Sequence, residues 1–166
     1  VQTLREHLLG VQSLAERFGD KLGLRHVAGL AGLLHDLGKY TDKFQNYINR
    51  AAFYPEELDV RRGEVDHSTA GGRLLFSILH RQDSSPYEKL LAEIVGNVII
   101  SHHSNLQDYI SPSIESDYLR RVQDKDLPQY ELAVARFYED TMPKDQLDKY
   151  ITAALEELKQ FTDHSP

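Results

Sequence analysis

The sequence predicts an all-α protein, and two features of its 166 residues support this fold class. Apolar residues recur at spacings of three and four along most of the chain, which is the period of a helix with one buried face. No segment alternates apolar and polar residues for long enough to predict a strand. The length fits one hydrophobic core, so we expect a single helical-bundle domain over residues 1–166.

The first two predicted helices differ in how deeply they are expected to be buried. Six apolar residues form a stripe on the first helix: Leu4, Leu8, Val11, Ala15, Phe18 and Leu22. Gly23 is expected to end this helix. The second helix is apolar almost all round, with Val27, Ala28, Leu30, Ala31, Leu33 and Leu34, and is therefore expected at the centre. Gly38 can end it by adopting a left-handed conformation.

A short third helix is predicted to follow, capped by Thr41 and holding Phe44, Tyr47 and Ile48. Residues 52–65 contain a proline and charges of both signs, so we expect a connecting loop there.

Two longer helices are predicted after this loop. One is expected to begin at Asp66, with Ala70, Leu74, Leu75 and Ile78 facing inward. The other starts with Ser85 as N-cap and Pro86 in the first turn. Its buried side is expected to carry Leu91, Ile94, Val95, Val98, Ile99 and His102. The elements expected beyond residue 104 are a loop through Pro112 and helices near 129–140 and 144–161.

The composition restricts the possible functions. There is no cysteine, so a bound metal ion would need ligands from histidine and carboxylate side chains. The formal net charge of -7 argues against a free-standing nucleic-acid binder, because phosphate neutralisation needs clustered Lys and Arg. An enzyme acting on nucleic acid remains open, since bound divalent cations or a neighbouring domain could supply positive charge.

Features of the termini and the overall hydropathy bear on where the protein resides. No segment is apolar enough for a membrane span, and the N-terminal residues lack a signal-peptide pattern. We therefore expect a cytoplasmic protein with no membrane contact. The only methionine is Met142, so we expect the chain to be a domain of a longer protein.

Six residues at or near helix ends are candidate metal ligands: His7, His35, Asp36, His67, His102 and His103. For His7 the alternative is a histidine at the edge of the core, bonded to a carbonyl. Asp36 could instead lie exposed at a helix end, and His67 could merely adjoin a capping segment. Two imidazoles at the end of a buried helix are hard to explain by packing. His26 and His80 are expected to be solvated, and His164 is taken as coincidental.

This set of five histidines and one aspartate matches what two divalent ions require. Neutral imidazole and carboxylate suit Mn, Fe, Co, Ni or Zn, and Mg is a further candidate. The two oxygens of Asp36 could bridge both ions. The position of the His-Asp pair would then be explained, because adjacent residues at the helix end can bind neighbouring ions.

Four segments in this order resemble the HD superfamily of metal-dependent phosphohydrolases: "EHL" at 6–8, "HDLGK" at 35–39, "DHSTAGG" at 66–72 and "SHHS" at 101–104. The finer resemblance is to the HD nuclease domain of the CRISPR-associated helicase–nuclease of type I systems. It is carried by "GLLHDLGKYTDKFQNYI", then "DHSTAGG" and "SHHSNLQD", and it covers about residues 2–108.

The resemblance implies an HD-domain helical bundle with two metal sites between helices that share one carboxylate. The first would be formed by His7, His35 and Asp36, and the second by Asp36, His67, His102 and His103. Asp36 and Lys39 would be the catalytic residues, with Lys39 facing the substrate phosphate.

The implied activity is cleavage of single-stranded DNA in CRISPR interference, by attack of a metal-activated water on the phosphodiester. A helicase domain, in the same or a partner chain, and an RNA-guided surveillance complex are the implied partners.

One departure from the family pattern keeps other interpretations open. The family usually adds a downstream Asp in an apolar helix, whereas the acidic residues here lie in polar surroundings: Asp140, Asp145, Asp148 and Asp163. Either the chain ends before that residue, which we favour, or the first metal site is incomplete. The alternatives are an HD-type phosphohydrolase acting on a small nucleotide and a catalytically impaired HD interaction domain.

Overall fold

Helices account for the regular structure in the computed structural model, which describes residues 2–53, 66–105, 109–111 and 115–163. These ranges contain no strand, which confirms the all-α class. The α-helices are α1 (Leu4–Gly19), α2 (Arg25–Leu34), α3 (Asp42–Phe53), α4 (Thr69–Leu79), α5 (Pro86–Ser101), α6 (Asp117–Leu119), α7 (Tyr130–Asp140) and α8 (Lys144–Asp163). None of the described helices is long and apolar enough to cross a membrane.

Helix α1 starts with a capping box and is followed by a 3₁₀ turn that ends at the predicted glycine. The Thr3 hydroxyl accepts the Glu6 amide at 3.1 Å, and the Glu6 carboxylate accepts the Thr3 amide at 2.8 Å. After a 3₁₀ turn, Gly23 stops the helix at φ 71°. The predicted stripe is buried only in part, because Phe18 and Leu22 are exposed.

Helices α1 and α2 pack closely because Gly32 has no side chain. A Cβ at Gly32 would lie 2.8 Å from the Val11 carbonyl oxygen. Leu30, Leu33 and Leu34 are fully buried, which confirms the central position of α2. This contact brings the middle of α1 beside the C-terminal end of α2.

Gly38 does not adopt the left-handed conformation that the sequence suggested. Helix α2 ends at Leu34, and Gly38 lies in a 3₁₀ turn, Leu37–Tyr40, without a positive φ. Its amide donates to the His67 carbonyl at 3.2 Å, and a Cβ there would lie 2.6 Å from the His67 Cα. Glycine is required at this position because the two backbones touch.

Helices α3 and α4 shift two predicted boundaries. The Thr41 hydroxyl accepts the Phe44 amide at 3.3 Å, which confirms the predicted cap. Helix α3 continues to Phe53, so the first two residues of the loop predicted over 52–65 are helical, and residues 54–65 lie outside the described residues. Helix α4 begins at Thr69 rather than Asp66, because Asp66 caps it from outside.

Helix α5 starts at the predicted capping residues Ser85 and Pro86 but faces the core differently. Ile94 and Val98, expected to be buried, are 43% and 44% exposed. The buried face is centred on Ala92 and Val95, roughly 100° further round the helix. Small residues that face inward were not recognisable from apolar periodicity.

Helices α7 and α8 confirm the two helices predicted in the C-terminal third, whereas α6 and a π-helical turn, Arg120–Asp124, were not predicted. Helix α8 supplies Glu157, whose carboxylate accepts the backbone amides of His26 and Val27 at 2.7 and 3.1 Å. A side chain from the far end of the sequence therefore caps α2.

Two histidines expected to be solvated have specific partners. The His26 Nδ1 lies 2.6 Å from a Glu157 carboxylate oxygen. His80 Nε2 lies 3.0 Å from the Glu93 carboxylate, and its ring stacks on Phe76. His164 lies outside the described residues.

Candidate metal centre

The five histidines among the predicted ligands converge on the sixth, the buried carboxylate of Asp36, which is 2% exposed. Helix α1 contributes His7, and the end of α2 contributes His35 and Asp36. His67 precedes α4, while His102 and His103 follow α5. The ligand atoms form two groups that share Asp36, and within each group they all lie within 4.8 Å of one another.

The first group lies around one oxygen of Asp36. His7 Nε2 and His35 Nε2 are each 3.0 Å from Asp36 Oδ2, and the two imidazole nitrogens are 3.2 Å apart. The Lys39 ammonium approaches the same oxygen at 2.7 Å. This oxygen therefore has three nitrogen partners.

The second group lies around the other oxygen. His102 Nε2 and His67 Nε2 are 3.5 and 3.6 Å from Asp36 Oδ1. His67 Nε2 is also 2.6 Å from His103 Nε2. Each carboxylate oxygen of Asp36 therefore faces a different set of imidazoles, an arrangement in which one carboxylate could bridge two ions.

Backbone carbonyls fix the orientation of one histidine in each group. His35 Nδ1 lies 2.8 Å from the Gly32 carbonyl, and His102 Nδ1 lies 2.6 Å from the Ile99 carbonyl. A carbonyl can only accept, so each Nδ1 carries the proton and each Nε2 presents a lone pair. This is the arrangement that metal-binding histidines usually have.

The charges around Asp36 keep it ionised. Burial would raise its pKa, but the close approach of the His102 and His35 imidazoles and of the Lys39 ammonium outweighs burial and holds the pKa well below its usual range. Burial and the neighbouring imidazoles of His102 and His67 lower the pKa of His103. The centre therefore combines an ionised carboxylate with a histidine that favours its neutral form, as a divalent cation requires.

Two unsatisfied atoms indicate where a cation fits. Asp36 Oδ1 and His102 Nε2 are buried, and neither has a hydrogen-bond partner within the described part of the chain. A buried polar atom without a partner costs about 1–3 kcal/mol. Because both atoms are electron-pair donors in one group, a divalent ion would satisfy them together, and the donor set fits such an ion.

A polar network that the motifs did not predict holds His67 in place. The Asp66 carboxylate accepts the amides of Ser68 and Thr69 at 3.0 and 3.1 Å. It also forms ion pairs with Lys125 at 2.5 Å and Arg121 at 3.7 Å. Burial would raise the pKa of Asp66, but bonds from Lys125 and Thr69 hold it well below its usual range. Asp66 therefore caps α4 while His67 stays a candidate metal ligand, so the two interpretations of this segment are compatible.

The π-helical turn positions the two cations of this network. The Arg73 guanidinium donates to the carbonyls of Arg121 and Val122, both at 3.0 Å, and to that of Lys125. Arg121 in turn donates to the Ser68 and Thr69 hydroxyls. In the sequence, the spacing of four between the basic residues Arg121 and Lys125 is the signal that could have indicated this network.

The acidic residues of the C-terminal third lie away from the first group. Asp140 accepts the Tyr40 hydroxyl, Asp148 pairs with Lys144, and Asp163 accepts the Tyr87 hydroxyl. Asp145 is exposed. Over the residues the structure describes, the first group therefore consists of His7, His35 and Asp36.

A helical bundle whose helix ends bring histidines around a buried aspartate defines a class of metal-binding domain. The family model described as HD domain matches residues 4–154, and the chain belongs to this family. HD domains generally are metal-dependent hydrolases that bind divalent ions, and the family suggests a phosphohydrolase. No curated protein matches the chain.

Proposed function

We propose that this chain is a metal-dependent nuclease that cleaves single-stranded DNA in CRISPR interference. The observation that carries the proposal is the sharing of Asp36 between two groups of imidazoles. Two ions that share a ligand can bind the attacking and the leaving oxygen of one phosphodiester. The resemblance of residues 2–108 to type I HD nuclease domains supports DNA as the substrate.

The residues of the centre would each have a distinct role. When bound, the ions would supply an activated water and neutralise charge on the phosphodiester. Asp36 anchors both groups, and the carbonyls of Gly32 and Ile99 keep His35 and His102 in the required orientation. Lys39 is the proposed phosphate contact, since its flexible side chain can turn from Asp36 toward a phosphate oxygen.

A cavity of about 830 Å³ adjoins the centre and offers space for the substrate. His67 and His103 line it together with Lys39, so the second group and the proposed phosphate contact face the same space. A substrate phosphate in this cavity would reach both.

The same cavity favours a second candidate, hydrolysis of a small nucleotide. It contains basic groups that could bind phosphates and aromatic rings that could bind a base, and its volume is typical of small-molecule sites. The two candidates share the metal centre and differ in the length of the substrate.

The partners and the cellular location belong to the proposal as well. A helicase domain would deliver the displaced strand, and an RNA-guided surveillance complex would recruit the enzyme in the cytoplasm. A catalytically impaired interaction domain would explain why the first group has three ligands. Measured cleavage would rule that alternative out.

The decisive experiment pairs elemental analysis of the purified protein with cleavage assays over a panel of divalent metals. Single-stranded DNA and deoxynucleoside triphosphates are offered separately. We expect cleavage of the strand and little turnover of the triphosphates. Turnover of triphosphates with inert single-stranded DNA would overturn the nuclease proposal in favour of the small-nucleotide hydrolase.

A further inference from the structure

We propose that the cavity beside the metal centre binds one unpaired nucleotide of the substrate strand, with its base stacked on Tyr47 and its phosphate held by Lys125. This inference rests on the proposed nuclease function and adds how the site selects a single strand.

The cavity concentrates positive charge in a negatively charged protein. Its described lining includes the cations Lys39, Arg121 and Lys125 and the single carboxylate of Asp66, whereas the whole chain has a net charge of -7. Such a local reversal of sign favours an anionic ligand. The substrate of a phosphodiesterase would bring a phosphate group into this cavity.

Lys39 is already the proposed contact of the reacting phosphate, and Lys125 is the cation that can bind a further phosphate next to the Asp66 network. Arg121 is occupied by the Ile100 carbonyl and by the hydroxyl of Ser68, so its role is to fix local structure. The Lys125 side chain is 35% exposed, and its ammonium contacts Asp66 with donor capacity to spare. Its backbone carbonyl is held by Arg73, which sets its position at the cavity.

The two aromatic rings of the cavity have different roles. Phe44 is 7% exposed, and its ring centre lies 5.0 Å from that of His67, so it supports this proposed metal-binding histidine. Tyr47, one turn further along α3, is only half-buried, and its ring centre lies 6.1 Å from that of Phe44. Ile48 and Ala51 extend the apolar lining beside it. Tyr47 is therefore the ring on which a base can stack.

Stacking on Tyr47 would discriminate single strands from duplexes. A base in a duplex already stacks on its neighbours and is paired, so its face is not free for a protein ring. An unpaired base offers that face whatever its identity, and the site would tolerate any sequence. The cavity would thus supply strand selection that the metal centre alone does not provide.

The test measures binding of a fluorescent single-stranded oligothymidylate by anisotropy, with metal removed by a chelator so that no cleavage occurs. Tyr47→Ala is expected to weaken binding about tenfold or more, because one stacked base is lost. Tyr47→Phe keeps the ring and should bind within about twofold of wild type. Phe18→Ala removes an exposed aromatic ring on α1, outside the cavity, and should have no effect.

A second probe separates stacking from a structural effect of the substitution. A strand of abasic nucleotides has phosphates but no bases, so wild type and Tyr47→Ala should bind it equally. The plot of log affinity against log salt concentration has a negative slope. Lys125→Gln should make this slope less steep by about 0.7, because one phosphate contact is lost. Circular dichroism checks that each variant remains helical.

Several outcomes would overturn the inference. Unchanged oligothymidylate binding by Tyr47→Ala would refute stacking, as would an equal loss of binding to the abasic strand. An unchanged salt slope for Lys125→Gln would refute the phosphate contact. Wild-type protein that binds the strand but never cuts it with any metal would contradict the nuclease function alone, because binding is measured without metal.

Discussion

The two ligand groups around Asp36 differ in number and in support. The first has three ligands: His7 lies on α1, and His35 and Asp36 directly follow α2, which touches α1 through Gly32. The second has four, and all of them lie outside the α-helices. Metal sites with three protein ligands keep a position for water or substrate, whereas four ligands can close a site. The first group would thus leave its ion more open positions, and the second, which faces the cavity, should hold its ion more firmly.

The largest effect is expected from the residue that both groups share. Asp36→Ala should lower the rate of DNA cleavage at least about 1000-fold, because ions that act as a unit lose their common ligand together. Cleavage assays at saturating metal measure this loss. Asp83→Ala is the matched control, since it removes an exposed aspartate from the loop before α5.

The fold should survive this substitution, because the buried charge is costly without its metals. Circular dichroism would check that the variant remains helical. Asp36→Ala protein that is helical and still cuts DNA at a comparable rate would show that the two groups do not work through one carboxylate.

A smaller and asymmetric effect is expected from removing one histidine of each group. His7→Ala leaves two ligands in the first group and should cost more than about 100-fold in cleavage rate, with the second ion retained. His103→Ala leaves three ligands in the second group and should mainly raise the metal concentration needed for activity. Metal titrations of both variants would compare them, and equal losses of rate would contradict the division of roles.

Next in size is the effect of the network that holds the second group. Asp66→Ala removes a helix cap and two ion pairs, so it should lower the free energy of unfolding by about 2 kcal/mol at pH 7. It should also weaken metal binding by the second group about 10-fold to 100-fold while leaving the first unaffected. Urea unfolding and metal titration measure the two effects. A variant that loses stability but keeps both affinities would show that Asp66 does not position His67.

The smallest expected effect is on the pH dependence of stability. The folded-state pKa of Asp66 lies below its unfolded value, so its contribution is complete above about pH 4 and is lost as the pH falls further. Between pH 7 and pH 3, wild type should therefore lose about 1–2 kcal/mol more unfolding free energy than Asp66→Asn. Urea unfolding at both pH values measures the difference, and parallel losses would contradict the lowered pKa.

The sequence predicted the residues that meet at Asp36 better than the contacts that support them. The histidines lie in short motifs at or near helix ends, where neighbouring residues in the sequence are enough to predict the position of each one. The ion pair between Asp66 and Lys125 joins residues far apart in the chain, and Lys125 follows a π-helical turn that has no periodic pattern. The metal-binding role of the six residues itself stays a prediction.

Two errors of the sequence-based interpretation have physical causes. A glycine after a helix favours a left-handed conformation at Gly38, but glycine is equally required where backbones touch, as they do at His67. Apolar periodicity predicts Ile94 and Val98 inward because it takes no account of small residues. Helix α5 instead turns Gly96 toward Tyr118, where a Cβ would lie 2.8 Å from the ring.

Calorimetric titration of the metal-free protein with Mn²⁺ tests most directly whether one carboxylate serves two ions. Wild type should bind two equivalents with different affinities, His7→Ala should bind one, and Asp36→Ala should bind neither tightly. A single equivalent in wild type, or two equivalents retained by Asp36→Ala, would contradict the shared centre.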